Sequence, residues 1–118
     1  MNHQIGKKKL NKKPHHKRSL IRNQVIHLIT YGKLITTQTR AREVKKVAEK
    51  LVTLARSGNT MHARRQAKAL LPYKEKALIM LFKEIAPRYV DRPGGYTRLI
   101  KLGYRTSDTA KIAQLEWV

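Results

Sequence analysis

The chain has 118 residues, with 27 Lys and Arg against 7 Asp and Glu, for a net charge of +20. That length implies one domain with one modest core, and the charge far exceeds the range of about 2 to 8 that solubility asks of a small domain. There is no cysteine, which excludes disulfides, Cys-ligated zinc and thiol catalysis, and no apolar run approaches the roughly 20 residues of a membrane span.

The charge is concentrated at the start. Eleven Lys and Arg and four of the five histidines precede the first acidic residue, Glu43. Such a segment cannot neutralise itself and needs an external polyanion, of which nucleic acid is the densest in a cell. Between Gly6 and Arg18 only Leu10 is a sizeable apolar residue. Residues 1–18 therefore read as a basic extended arm that orders on its partner, and residues 19–118 as a single α/β RNA-binding domain. The arm lacks the apolar stretch of a secretory signal. It is Lys- and His-rich where a mitochondrial presequence is Arg- and Ser-rich, so a cytoplasmic setting is expected over a mitochondrial one.

From Ser19 the apolar residues take helical spacing. Ile21, Val25, Leu28 and Ile29 form one stripe, with Ser19 as the expected N-cap and Gly32 as the stop. Arg18 and Arg22, four apart, share one edge of this helix. Lys33 to Thr39 is β-branched and too short for a helix, so it reads as a strand. Thr39 is then expected to cap a second helix, whose stripe is Ala41, Val44, Ala48, Leu51 and Ala55. Glu43 in its first turn and Arg56 in its last suit the helix dipole.

Gly58 closes that helix, and Asn59 or Thr60 caps a third with Ala63, Ala67, Leu70 and Leu71 on one face. A fourth is expected from Lys74 to Ile85, burying Ala77, Leu78, Leu81, Phe82 and Ile85, with Pro87 preventing continuation. Asp91 to Gly95 is turn chemistry. Thr97 to Arg105 and Ala110 to Trp117 alternate about a turn at Thr106 to Thr109 and read as a hairpin. Two strands alone are marginal, so the early strand is the expected third member. The predicted fold is α/β (α+β): about four helices packed on a small three-stranded mixed sheet.

Three groups of residues carry RNA-binding chemistry. The first is the arm, with Lys7, Lys8, Lys9, Lys12, Lys13, His15, His16, Lys17, Arg18 and, just beyond it, Arg22; the bland alternative is a solvated tail. The second is Arg64, Arg65 and Lys68 on the third helix, which without the +20 background would be an ordinary wet face. The third surrounds the Gly94-Gly95 turn: Arg88, Tyr89, Arg92, Tyr96 and Arg98. Glycines let backbone approach a phosphate, guanidiniums pair with it, and tyrosines stack on unpaired bases. The competing reading is a loop whose tyrosines cover core edges. Trp117, the only Trp, reads as a core or partner-facing anchor.

Other chemistry is absent. The histidines (His3, His15, His16, His27, His62) show no His-Glu-x-x-His spacing and sit among lysines that repel a cation. The carboxylates look committed to helix caps and surface pairs such as Glu49 with Lys46, and no nucleophile is flanked by a base. No catalytic residue, metal, cofactor or homo-oligomer is expected.

The same residues resemble a known family. Gly6-Lys7-Lys8-Lys9-Leu10, His16-Lys17-Arg18 with Arg22-Asn23, and Ile35-Thr36-Thr37 open the match. Ala48-Glu49-Lys50-Leu51 with Leu54-Ala55 and Ala63-Arg64-Arg65-Gln66-Ala67 continue it. Ile85-Ala86-Pro87-Arg88-Tyr89 and Arg92-Pro93-Gly94-Gly95-Tyr96-Thr97-Arg98 are its most specific part. In this order and spacing they are similar to the bacterial large-subunit ribosomal protein family numbered seventeen. The resemblance implies a small α/β domain with a three-stranded sheet and a basic N-terminal extension. It also implies binding to large-subunit ribosomal RNA near the exit of the nascent-peptide tunnel, beside neighbouring large-subunit proteins. The chain departs from the family at Met1-Asn2-His3, usually Met-Arg-His. It departs again at Arg105-Thr106-Ser107-Asp108, usually Arg-x-Gly-Asp, which bears on the tightness of the hairpin turn because Ser tolerates positive φ poorly.

Two rival functions fit parts of the same sequence. A DNA-binding architectural protein would use residues 39–57 and 60–71 as a helix-turn-helix and the arm in a minor groove. A membrane-active cationic protein would need aromatic residues opposite lysines on a helix, and the first helix offers only Tyr31.

Overall fold

A computed structural model describes residues 13–58, 60–71 and 75–118. Lys7, Lys8, Lys9 and Lys12 lie outside the described residues. The first element, α1, spans Pro14–Tyr31 and buries the expected stripe, Ile21, Val25, Leu28 and Ile29. It starts five residues before Ser19. Lys13 occupies the N-cap without a side-chain hydrogen bond, and Pro14 takes the first helical position, where its missing N–H costs nothing and its fixed φ suits the helix. The arm boundary at residue 18 thus falls inside a helix, and His15, His16, Lys17 and Arg18 are helical. Gly32 ends α1 at φ 82, with its N–H bonded to the Leu28 carbonyl.

Strand β1 covers Lys33–Thr37, and α2 covers Gln38–Arg56. The N-cap of α2 is Thr37, so Thr39, the expected cap, sits in the first turn. Helix α2 is the spine of the molecule. It packs against α1, against all three strands and against the turns that follow α4. Ala41, Val44, Ala48, Leu51, Val52 and Ala55 are buried along it. Each such Leu or Val contributes about 1.5–3 kcal/mol relative to exposure.

Helix α3 spans Met61–Leu70, and the Thr60 side chain caps it by accepting from the Ala63 N–H at 3.1 Å. Helix α4 is shorter than the sequence suggests. It runs Glu75–Met80, widens into a π turn at Leu81–Ile85, and tightens into a 3-10 turn at Ala86–Tyr89. Pro87 does not stop the chain; it sits in the first turn of the 3-10 segment. Its ring cannot follow a regular α-turn, and the backbone adjusts through the Ala86 N–H, which reaches back to the Leu81 carbonyl.

Strands β2 (Thr97–Tyr104) and β3 (Lys111–Trp117) complete a sheet of order β1-β3-β2. Both pairings are antiparallel, so the sheet is antiparallel and not mixed. Placing β3 in the centre makes β1 and β2 co-directional but never adjacent. Leu34, Leu115 and Leu99 align across the inner face, under the helices. Ile35, Gln114 and Ile100 align on the outer face. The register slips between Lys101 and Gly103, where Gly103 takes φ 112 and bulges the edge strand.

The hairpin turn is held by its own residues. The Arg105 N–H donates to the Ala110 carbonyl at 2.8 Å, and the Arg105 side chain pairs with Asp108 at 2.9 Å. The positive φ falls on Thr109 (56°) and not on Ser107, so the turn closes with a serine at that position. The hydrogen bond from Arg105 holds the Asp108 carboxyl below its usual range. Its small contribution is therefore present at neutral pH and fades as pH falls through that lowered value.

Candidate nucleic-acid interface

At the start of α1 the first turn carries no acidic residue and no side-chain cap. Lys13, His15, His16 and Arg18 are exposed there, with Lys17 and Arg22 partly so. Cations at a helix N-terminus oppose its dipole, and an arriving phosphate relieves that opposition. On α3, burial of Ala63 and Ala67 turns Arg64, Arg65 and Lys68 outward, and all three are exposed.

The third group is held by a polar row on α2 whose members do not announce this role in the sequence. Glu49 accepts from the Thr97 N–H at 3.2 Å and from the Thr97 hydroxyl at 2.9 Å. One turn on, the Thr53 hydroxyl meets the Tyr96 hydroxyl at 3.3 Å. Another turn on, the Arg56 guanidinium donates to the Arg92 carbonyl. Glu49, Thr53 and Arg56, at spacings of four and three, thus clamp the segment from Arg92 to Thr97. The expected Glu49–Lys46 pair does not form; Lys46 pairs with Glu43 at 3.3 Å. The signal that could have found the clamp is this polar row running beside the buried stripe of α2.

Replacing Glu49 by Ala leaves the buried Thr97 donors without their charged acceptor. The expected cost is about 1.5–3 kcal/mol, read from the urea midpoint. An unchanged midpoint would show that the row does not hold the segment.

The clamp presents arginine and glycine but not tyrosine. Tyr89 and Tyr96 are each 1 % exposed. Their rings meet at 5.2 Å, Tyr89 lies 6.4 Å from Trp117, and the Tyr89 hydroxyl donates to the Val118 carbonyl. Tyr96 therefore belongs to the core and is not free to stack on a base. Trp117 is a core anchor as well, its indole N–H donating to the Leu28 carbonyl. Arg88 and Arg92 remain exposed, with the Arg92 guanidinium 5.5 Å from the Tyr89 ring centroid. Gly95 needs its φ of 64°, while a Cβ at either Gly94 or Gly95 would meet nothing within 4 Å. That backbone is open to approach. Arg98 differs, pairing across the strand with Glu116 at 3.5 Å on the outer sheet face.

The carboxylates are largely engaged inside the molecule. Glu43, Glu49, Asp108 and Glu116 bond to Lys46, Thr97, Arg105 and Arg98. Among the described residues no group of His, Asp and Glu could hold a metal ion, and no helix is long and apolar enough to cross a membrane. The arrangement offers exposed cations on α1, on α3 and around the Gly94-Gly95 turn.

Comparison with known proteins agrees in extent with this architecture. A profile of the family "Ribosomal protein L17" matches residues 20–118. Large ribosomal subunit protein bL17 of Carboxydothermus hydrogenoformans is 49% identical over 108 residues, 92% of this chain and 95% of that protein. The bL17 protein of Desulforudis audaxviator is 46% identical over 114 residues, 97% of this chain and 100% of its own length. That of Syntrophus aciditrophicus is 44% identical over 119 residues, 100% of this chain and 93% of that protein. With matches of this extent, the chain belongs to the ribosomal protein L17 family.

Proposed function

We propose that this chain is a structural protein of the bacterial large ribosomal subunit, binds large-subunit ribosomal RNA and supports subunit assembly in the cytoplasm. Family membership and the exposed cations together carry the reading. With four of the seven carboxylates bonded to partners within the chain, Arg64, Arg65, Lys68, Arg88 and Arg92 face outward for phosphate. The basic segment with Lys7, Lys8, Lys9, Lys12 and Lys13 adds contacts that release counterions on binding. The seat is at the nascent-peptide tunnel exit, beside neighbouring large-subunit proteins. The role is assembly and not catalysis.

The DNA-binding alternative has less support. In the first turn of α3 the Thr60 side chain is used as a cap and Ala63 is buried. That leaves Met61 and His62, without the amide or Arg side chains that read base edges. Sedimentation of a native cell extract through a sucrose gradient tests the proposal. The chain is expected with the large subunit until high salt releases it, and recovery mainly on chromosomal DNA would refute it.

A further inference from the structure

A groove of about 430 Å³ lies between α3 and the α4 region. Its floor is Leu78, Ile79 and Phe82, and Arg64, Lys68 and Lys83 flank it. Among the described residues, Glu75 is the one acidic side chain in the lining. Leu78 and Phe82 are half-buried, and Ile79 is 53% exposed. Cations that serve only duplex phosphates need no apolar floor between them, and apolar side chains gathered in one groove mark a binding surface where singly scattered ones do not.

The floor is also short. Its three side chains span Leu78 to Phe82, little more than one helical turn, with Phe82 already in the π turn. A docked protein helix draws on anchors at i, i+3, i+4 and i+7, about two turns. An aromatic ring and two aliphatic chains ringed by three cations match something smaller: a flat apolar group with negative charge on either side. A nucleotide unstacked from its strand has that form, since its base presents a π face and its neighbouring phosphates carry the charge.

We propose that the α3–α4 groove holds a single unstacked RNA base against Phe82 and Ile79, with the flanking phosphates on Arg64, Lys68 and Lys83. This rests on the RNA-binding reading above and adds what that reading lacks, a preference for a particular RNA shape. The base contributes through stacking, so it adds affinity without adding to the salt slope.

The test uses the full chain and two fluorescent RNA hairpins in anisotropy titrations at several salt concentrations. One hairpin carries a single bulged adenine; in the other a uridine inserted opposite pairs that adenine. The bulged hairpin is expected to bind about tenfold tighter, with the same salt slope. Phe82→Leu keeps the apolar volume and removes the ring. Ile79→Ser alters an exposed position outside the packed core. Each is expected to bring the two affinities close to equality while leaving the slope alone. Arg65→Gln, outside the groove lining, is expected to lower the slope and keep the tenfold preference. Equal binding of the two hairpins by the unsubstituted chain, at a normal salt slope, overturns the base site and leaves RNA binding intact. A preference that persists in both groove variants also overturns it. Displacement of neither hairpin, but saturable binding of a synthetic Leu- and Glu-rich helical peptide that Ile79→Ser abolishes, makes the groove a protein-docking site instead. Absence of salt-dependent binding to either hairpin overturns the RNA-binding reading itself.

Discussion

Replacing Leu81 by Ala is expected to lower the unfolding free energy by about 2–5 kcal/mol. Leu81 is fully buried, and its carbonyl accepts the Ala86 N–H that closes the π turn. The segment packs on α2 and runs directly into the Pro87 turn, so it cannot move inward to fill the space. The cavity therefore stays largely open, which is the condition for the upper part of that range. A thermal melt should show a fall in Tm on the order of 10 °C. The salt slope of RNA binding by the folded fraction should not change, because Leu81 carries no charge and touches no solvent. A Tm within a degree or two of the parent would mean that this turn is not part of the cooperative core.

Deleting residues 1–12 is expected to have the opposite signature. It removes Lys7, Lys8, Lys9 and Lys12, four of the 27 cations. Each phosphate that goes without its lysine lowers the slope of log affinity against log salt by about 0.7–0.9. If all four lysines touch phosphate, the slope falls by about 3 units. The melt should be nearly unchanged, because the buried residues of α1 begin at Ile21 and the helix itself begins at Pro14. The cut belongs before Pro14 and not at residue 18, since removing the first turn of α1 would mix a folding effect with an electrostatic one. A truncated chain that unfolds while keeping its slope would place the segment in the core and refute its assignment to RNA.

The sequence disclosed stripes more readily than ends. The stripe from Ile21 to Ile29 and that from Ala41 to Ala55 are buried as their spacing requires, because periodicity is set by the core each helix must cover. The start of α1 escaped because the residues before Ser19 are polar, and Pro14 acts by its fixed φ and not by any pattern. The π turn escaped for a related reason. Leu81, Phe82 and Ile85 fit an α-helical stripe, and only the backbone around Pro87 decides how the turn is wound.

At the candidate site the sequence revealed the charges and concealed the long-range partners. Arg64, Arg65 and Lys68 are outward because Ala63 and Ala67 face in, which spacing alone could say. Tyr96 stands next to two glycines and reads as a stacking residue, yet its ring is buried against Tyr89 in the core. Glu49 reads as a partner for Lys46 on its own helix, yet it reaches Thr97, 48 positions away. Pairings of that range depend on how α2 lies across the sheet, and no local pattern encodes it.

The bulge at Gly103 bears on the life of the chain before it reaches any partner. Strands β1 and β2 are both edges, and an open edge of eight residues, as in β2, invites a second copy to add its own strand. The slip between Lys101 and Gly103 breaks the regular spacing of donors and acceptors along that edge, and Arg98 and Lys101 bring like charge to any identical strand that approaches. A newly made molecule can therefore wait in solution without growing into stacked sheets. A straightened, neutralised β2 would make the same fold prone to precipitate.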